Sequence, residues 1–206
     1  TGAGMMDCKK ALGETGGDFE KAVAWLRERG IAKAAKRSGR VAAEGAVASY
    51  IHQGGKVGVL VEINCETDFV ARGDDFQRTV RDICLQIASS SPICVERSEV
   101  PQEAIEKEKA IFAAQAKEEG KAQMADKIAE GRINKWFKEV VLLEQPFVKD
   151  DKKTIEQLLT ELSAKTGEKI SVRRFVRYQL GEGIEKQESN LAEEVAAELA
   201  KVEKKD

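Results

Sequence analysis

Apolar positions near the start of the chain repeat at helical spacing. Met5, Cys8 and Leu12 share one face of a short helix, and three glycines between Gly13 and Gly17 break it. Asp18 is the predicted cap of a second helix, whose stripe is Phe19, Ala22, Val23 and Leu26 and whose expected end is Gly30. Two such helices bury too little to stand alone, so a third is expected ahead of Thr1. Residues 27–40 then read as a connector, with six basic residues against one acidic, a local charge of +5. A solvated linker is the plain reading of that run, and a surface for RNA or an acidic partner is the sharper one.

Beyond residue 41 the period changes from 3.6 to 2. Ala46–His52 and Lys56–Cys65 read as strands joined by a hairpin at Gln53-Gly54-Gly55, with Val57, Val59, Val61 and Ile63 on one face. Asp74 or Asp75 should cap the next helix, which carries Phe76, Val80, Ile83, Cys84 and Ile87 in one stripe and stops at Ser89-Ser90-Ser91-Pro92. Pro101 should open another helix in its first turn. Residues 103–140 are rich in charge and alanine, with sparse anchors at Ile105, Phe112, Met124 and Ile128 that thicken at Ile133, Trp136 and Phe137. With Gly120 near the middle, this predicts an antiparallel helical hairpin that leans on the domain at its base.

Pro146 is expected in the following loop. Thr154 and Gln157 have the spacing of a capping box before Ile155, Leu158, Leu159 and Leu162. Lys169–Leu180 reads as a third strand ended by Gly181 and Gly183. A last amphipathic helix would carry Leu191, Val195, Leu199 and Val202. No internal repeat is evident.

Composition narrows the function classes. Of 206 residues, 34 are Lys or Arg and 36 are Asp or Glu, and this near balance argues against a nucleic-acid coat. An apolar share of 42% is enough for a core. No run reaches the roughly eighteen apolar residues of a membrane span. Cys8, Cys65, Cys84 and Cys94 show no zinc spacing and read as buried thiols in a reducing compartment. With His52 the sole histidine, neither a Ser-His-Asp nor an HExxH grouping can be assembled. There is no P-loop and no GxGxxG after a strand, so direct nucleotide binding is not expected, and no metal or cofactor is implied. Gly54-Gly55-Lys56 is a hairpin turn rather than a phosphate cradle. The pattern is that of a non-enzymatic interaction protein.

One segment stands out: Cys65-Glu66-Thr67-Asp68-Phe69-Val70-Ala71-Arg72-Gly73, between the second strand and a helix. Composition favours Phe69 as plain core entry with Asp68 as a local cap. The alternative is an exposed Asp-Phe pair on a turn, where the ring is a binding anchor.

Four stretches carry a resemblance: TGAGMMDCKKAL at residues 1–12, TDFVAR at 67–72, EQPFV at 144–148 and LGEGIEK at 180–186. Together, and in this order, they resemble the elongation factor Ts family, whose members exchange nucleotide on the translational GTPase elongation factor Tu. The resemblance implies an α+β fold. Its parts would be a ubiquitin-associated-like helical head, a core with a three-stranded antiparallel sheet packed by helices, a helical hairpin and a C-terminal helical module. On this chain the head, lacking its first helix, and the basic linker would be residues 1–40, the core 41–180 with the hairpin at about 103–140, and the module 181–206. Long members carry two core repeats. This chain has a single TDFVAR, like the short form that associates as a homodimer.

Residue by residue, the resemblance puts the family's intrusion pair on Asp68 and Phe69, flanked by Thr67, Val70 and Arg72. It places Lys9, Lys36 and Arg37 where the head and linker face the partner's GTPase domain. Tyr50 and His52 resemble a strand-end motif that reaches another partner domain; in long members it belongs to the second core repeat, whereas here it precedes TDFVAR. The expected compartment is a bacterial-type cytoplasm, or the stroma or matrix of an organelle. The competing reading is an RNA- or ribosome-binding module built on the basic linker.

Overall fold

The structure is a computed structural model, and it describes residues 3–184. The expected C-terminal helix through Leu191 to Val202 lies outside the described residues. The head holds helix α1 (Met5–Glu14) and helix α2 (Phe19–Arg37). Gly16 and Gly17 at φ of 62° and 83° turn the chain between them. Asp18 caps α2, its Oδ1 accepting from the Lys21 amide at 3.0 Å.

Helix α2 does not stop at Gly30. An added methyl there would meet the Ala164 side chain at 3.5 Å, an ordinary contact distance, so this glycine marks a close crossing with a later helix. The run after it, IAKAAKR, is rich in good helix formers. Ties across the crossing, Arg27 to Glu161 and Arg37 to the Ser163 carbonyl, bracket it.

The core is built on strands β1 (Glu44–Ile51) and β2 (Val57–Cys65), followed by the one-turn helix α3 (Asp68–Ala71) and by helix α4 (Asp74–Ser90). The alternation in β2 is realised: Val59, Val61, Ile63 and Cys65 are buried against Phe76, Val80, Ile83, Cys84 and Ile87 of α4. Neither Asp74 nor Asp75 is the cap, contrary to the spacing. Gly73 holds that position, and both carboxylates lie in the first turn, where the helix dipole favours them. Asp75 is engaged by Lys165 at 2.5 Å instead.

Helices α5 (Gln102–Glu118) and α6 (Ala125–Val140) form the expected antiparallel hairpin, with Gly120 at φ 77° in the bend. Pro101 stands one position outside α5, as its cap residue. A second small core of Cys94, Val100, Ile133, Phe137 and Val141 seats the base of the hairpin. Pro146 is not in a loop: Pro146–Phe147 is a short strand β3 paired with β4 (Asp150–Thr154). A missing amide is tolerated in a two-stranded ribbon, where each strand has a free edge.

Helix α7 (Ile155–Thr166) opens on the predicted capping box, with Thr154 and Gln157 reciprocally bonded. Strand β5 (Ser171–Gln179) completes an antiparallel sheet in the order β1-β2-β5. The architecture is therefore α+β around a three-stranded antiparallel sheet. Between Glu62 and Ile63 the register with β5 slips, and the bulge aims both Arg173 and Arg174 at the Glu62 carboxylate, at 2.9 and 2.7 Å.

The cysteines are free thiols, three of them buried. Burial pushes Cys84 and Cys94 up to about 11, which keeps them protonated. No described helix is long and apolar enough to cross a membrane.

Candidate functional site

The Cys65–Gly73 segment leaves the central strand at one end of the sheet and turns once before α4. Thr67 is the cap of α3: its hydroxyl accepts from the Val70 amide at 3.3 Å. Val70 packs on the core and Ala71 is buried, so this turn has an inner side. Phe69 lies on the other side, with 84% of its surface exposed. Of the two readings open for that ring, the exposed one describes this fold. Burying an aromatic side chain of this size is worth about 1.5–3 kcal/mol, and here that remains available to a second molecule.

Asp68 and Arg72 sit one turn apart and pair at 2.6 Å. Both are largely exposed, so the pair orients the carboxylate beside the ring and adds little to stability. Behind the turn stands Glu168, in the connection from α7 to β5. Its Oε2 accepts from the backbone amides of Glu66 and Thr67 at 2.9 and 3.1 Å, and its Oε1 accepts from the Thr67 hydroxyl at 2.6 Å. Glu168 was not legible as a site residue. Its partners are about a hundred positions away in sequence, and Gly167 before it signals only a helix end.

Glu66 links this end of the sheet to the head. Its carboxylate accepts from the Lys169 amide at 2.7 Å and from Arg40 at 3.2 Å. The Lys169 amide first, and the Arg40 guanidinium beside it, hold the Glu66 carboxyl below the usual carboxylate range. The folded value lies below the unfolded one, so the contribution is complete above the unfolded value and is lost as pH falls through the folded value. Urea unfolding of wild type and Glu66→Gln should therefore show wild type the more stable at neutral pH, with the gap narrowing as the solution is acidified through the carboxylate range. A gap unchanged across that range would remove this carboxylate from the link.

The basic connector is mostly occupied within the molecule. Lys33 pairs with Asp7 at 2.8 Å, Arg37 donates to the Ser163 carbonyl at 3.1 Å, Arg40 meets Glu66, and Arg29 stacks on Trp25 at 4.6 Å. Arg27, Arg37 and Arg40 thus tie the head to the core, and the engagement of most of this charge weighs against an RNA surface. Lys9 and Lys36 are exposed on α1 and α2, and Arg37 is half-buried. The same helix α1 exposes Met5 and Met6, adaptable contact residues that sequence reasoning placed on a core stripe or passed over.

Tyr50 and His52 are brought together but not to this place. The Tyr50 hydroxyl lies 3.0 Å from His52 Nδ1, and the rings are tilted at 5.9 Å. Tyr50 stands opposite Val59 at the hairpin end of β1 and His52 just beyond the strand, whereas the Asp68-Phe69 turn follows Cys65 at the far end of β2. That span of strand is roughly 20 Å, so the two groups lie on separate parts of the surface. Among the described residues no cluster of three or more His, Cys, Asp or Glu is placed to hold a metal ion.

Comparison with known proteins agrees with this architecture. The family model described as Elongation factor TS matches residues 18–182. The chain is 60% identical over 200 residues to Elongation factor Ts of Desulforamulus reducens, covering 97% of this chain and 92% of that protein. It is 60% identical over 202 residues to that of Heliobacterium modesticaldum, covering 98% and 94%. For the Geobacter sulfurreducens protein the identity is 60% over 198 residues, covering 96% and 92%. By this match, and by an identity sustained over nearly its whole length, the chain belongs to the elongation factor Ts family of translation elongation proteins.

Proposed function

We propose that this protein is the guanine-nucleotide exchange factor for elongation factor Tu, acting in a bacterial-type cytoplasm, and that the Asp68-Phe69 turn is its wedge. The observation that carries the reading is the exposed Phe69 ring on a turn whose other side is anchored in the core. A GTPase holds GDP through backbone amides, a lysine and Mg²⁺ around the phosphates. An exchange factor need not touch the nucleotide. It binds the partner conformation in which those contacts are spoiled, and the weakening is mutual: the factor loosens GDP by as much as GDP loosens the factor. Burial of the ring supplies binding energy for that distortion, while Asp68 can accept hydrogen bonds from displaced partner backbone. Lys9 and Lys36, exposed on the head, would approach the same GTPase domain, and Tyr50 with His52 another. No bond is made or broken, so the protein is not an enzyme in the reaction-class sense.

The test is the release of a fluorescent GDP preloaded on elongation factor Tu, followed with and without this protein at excess unlabelled GDP. Acceleration is expected. A folded protein that produces none would sink the reading.

The same proposal includes a homodimer. It is supported by the outer face of the sheet, where Val47, Ile51, Leu60, Val176 and Tyr178 are exposed on three adjacent strands. A sheet with apolar residues on both faces needs a layer on each, and a second copy would supply it. Leu60→Asp should shift sedimentation equilibrium from dimer to monomer with circular dichroism unchanged. A wild-type monomer at micromolar concentration would remove the dimer from the proposal.

A further inference from the structure

Helix α3 is a single turn of four residues, too short to hold its own shape. Its direction must come from what grips it, and core contact at Val70 and Ala71 leaves the angle of the preceding strand end open. The grip comes from the connection between α7 and β5. Gly167 ends α7 at φ 78°, and this left-handed turn brings Glu168 over the end of β2. Its half-buried carboxylate then takes three hydrogen bonds from two consecutive residues, the amides of Glu66 and Thr67 and the Thr67 hydroxyl.

The third bond has a consequence for the helix. A hydroxyl has one proton and two lone pairs. By giving its proton to Glu168, the Thr67 hydroxyl is oriented with a lone pair toward the Val70 amide, the bond that caps α3. The grip is reciprocal, since the Glu66 carboxylate accepts from the Lys169 amide next to Glu168. It is also seated from behind: the Ser163 hydroxyl donates to the Glu168 carbonyl, while the Ser163 carbonyl accepts from Arg37 of the head. Residues 66–67 and 168–169 thus form one clamp, with the head helix bonded to its back.

We propose that Glu168 is a positioning residue for nucleotide exchange: by clamping Glu66 and Thr67 it sets the direction in which Asp68 and Phe69 leave the sheet. The inference rests on the reading of Phe69 as the wedge. Charge-assisted bonds to backbone amides are short and directional, so their loss frees the ring's aim before it costs the fold.

The experiment combines Glu168→Ala, Glu168→Gln and Phe69→Ala in one cycle, read by stimulated GDP release and by amide hydrogen exchange of this protein. Glu168→Ala should slow stimulated release by about tenfold. Glu168→Gln, which keeps one acceptor oxygen, should recover part of it and covers the case in which the alanine variant folds poorly. In the Phe69→Ala background the same change should matter by less than about twofold, because its effect passes through the ring. Amides from Thr67 to Arg72 should exchange faster in Glu168→Ala, while those of Val59 to Ile63 keep their protection. Effects that multiply in the double variant would overturn the proposal, as would unchanged exchange at Thr67 to Arg72. Loss of the wedge reading looks different: Phe69→Ala alone would be without effect, and amide exchange would then decide whether Glu168 holds the turn.

Discussion

Phe69→Ala is expected to lower kcat/KM for stimulated GDP release by about 30- to 700-fold, the equivalent of an aromatic anchor worth about 2–4 kcal/mol. The size follows from where the ring is. In the free protein 84% of it faces water, so its truncation removes almost no packing. Circular dichroism should be unchanged and Tm should move by no more than about 2 °C. On the proposed reading all of the loss falls on the complex, where burial of the ring would supply energy for distorting the phosphate site. Phe69→Leu should recover part of the rate, since a smaller apolar side chain still gains from burial. A variant that unfolds would mean that the ring belongs to the core. A folded variant with wild-type exchange would transfer the wedge to another group, and Asp68 would be examined next.

The second large effect is on stability. Gly45 pairs with Asn64 across the β1–β2 ladder at φ 141°, a backbone state that L side chains rarely adopt. A methyl group built there would lie 2.1 Å from the Ile63 carbonyl oxygen and 2.8 Å from the Asn64 Cα, both backbone atoms of the central strand. Flexible side chains can yield to an intruding methyl, but a paired strand cannot without giving up its bonds. Gly45→Ala should therefore cost about 3–5 kcal/mol and lower Tm by about 10 °C, read by thermal melting. Gly54→Ala is the control. It also has positive φ, at 89°, but open space around it, so only backbone strain of about 1 kcal/mol is expected. Equal losses in the two variants would show that close approach at Gly45 is not what matters.

Local rules carried the elements whose causes are local. The Thr154–Gln157 capping box, the Asp18 cap and the alternation from Val57 to Ile63 each involve neighbours within a few positions, and all appear in the fold. The stripe from Phe76 to Ile87 is buried as its 3.6-residue spacing requires. The rules failed where a distant segment decided the outcome. Gly30 reads as a stop but is a crossing point with Ala164, and the free choice of Asp75 as a cap was taken up by Lys165.

Phe69 and Phe76 put the division most sharply. They are the same residue type, seven positions apart, and both border a polar stretch before or within a helix. One is 84% exposed and the other 1%. Periodicity assigned Phe76 to the core and composition assigned Phe69 there, and only the motif around Phe69 suggested otherwise. The motifs likewise determined the family, because four short strings in a fixed order are specific even when each alone is weak. Tertiary structure decided the rest: the direction of Phe69, the clamp of Glu168 upon Thr67 and the partners of the basic connector. The clamp and the ties from the head to the core depend on groups far apart in sequence, brought together as helices bury the inner face of the sheet. Periodicity encodes which face of an element is apolar, but it carries no information about which distant carboxylate will stand behind a turn.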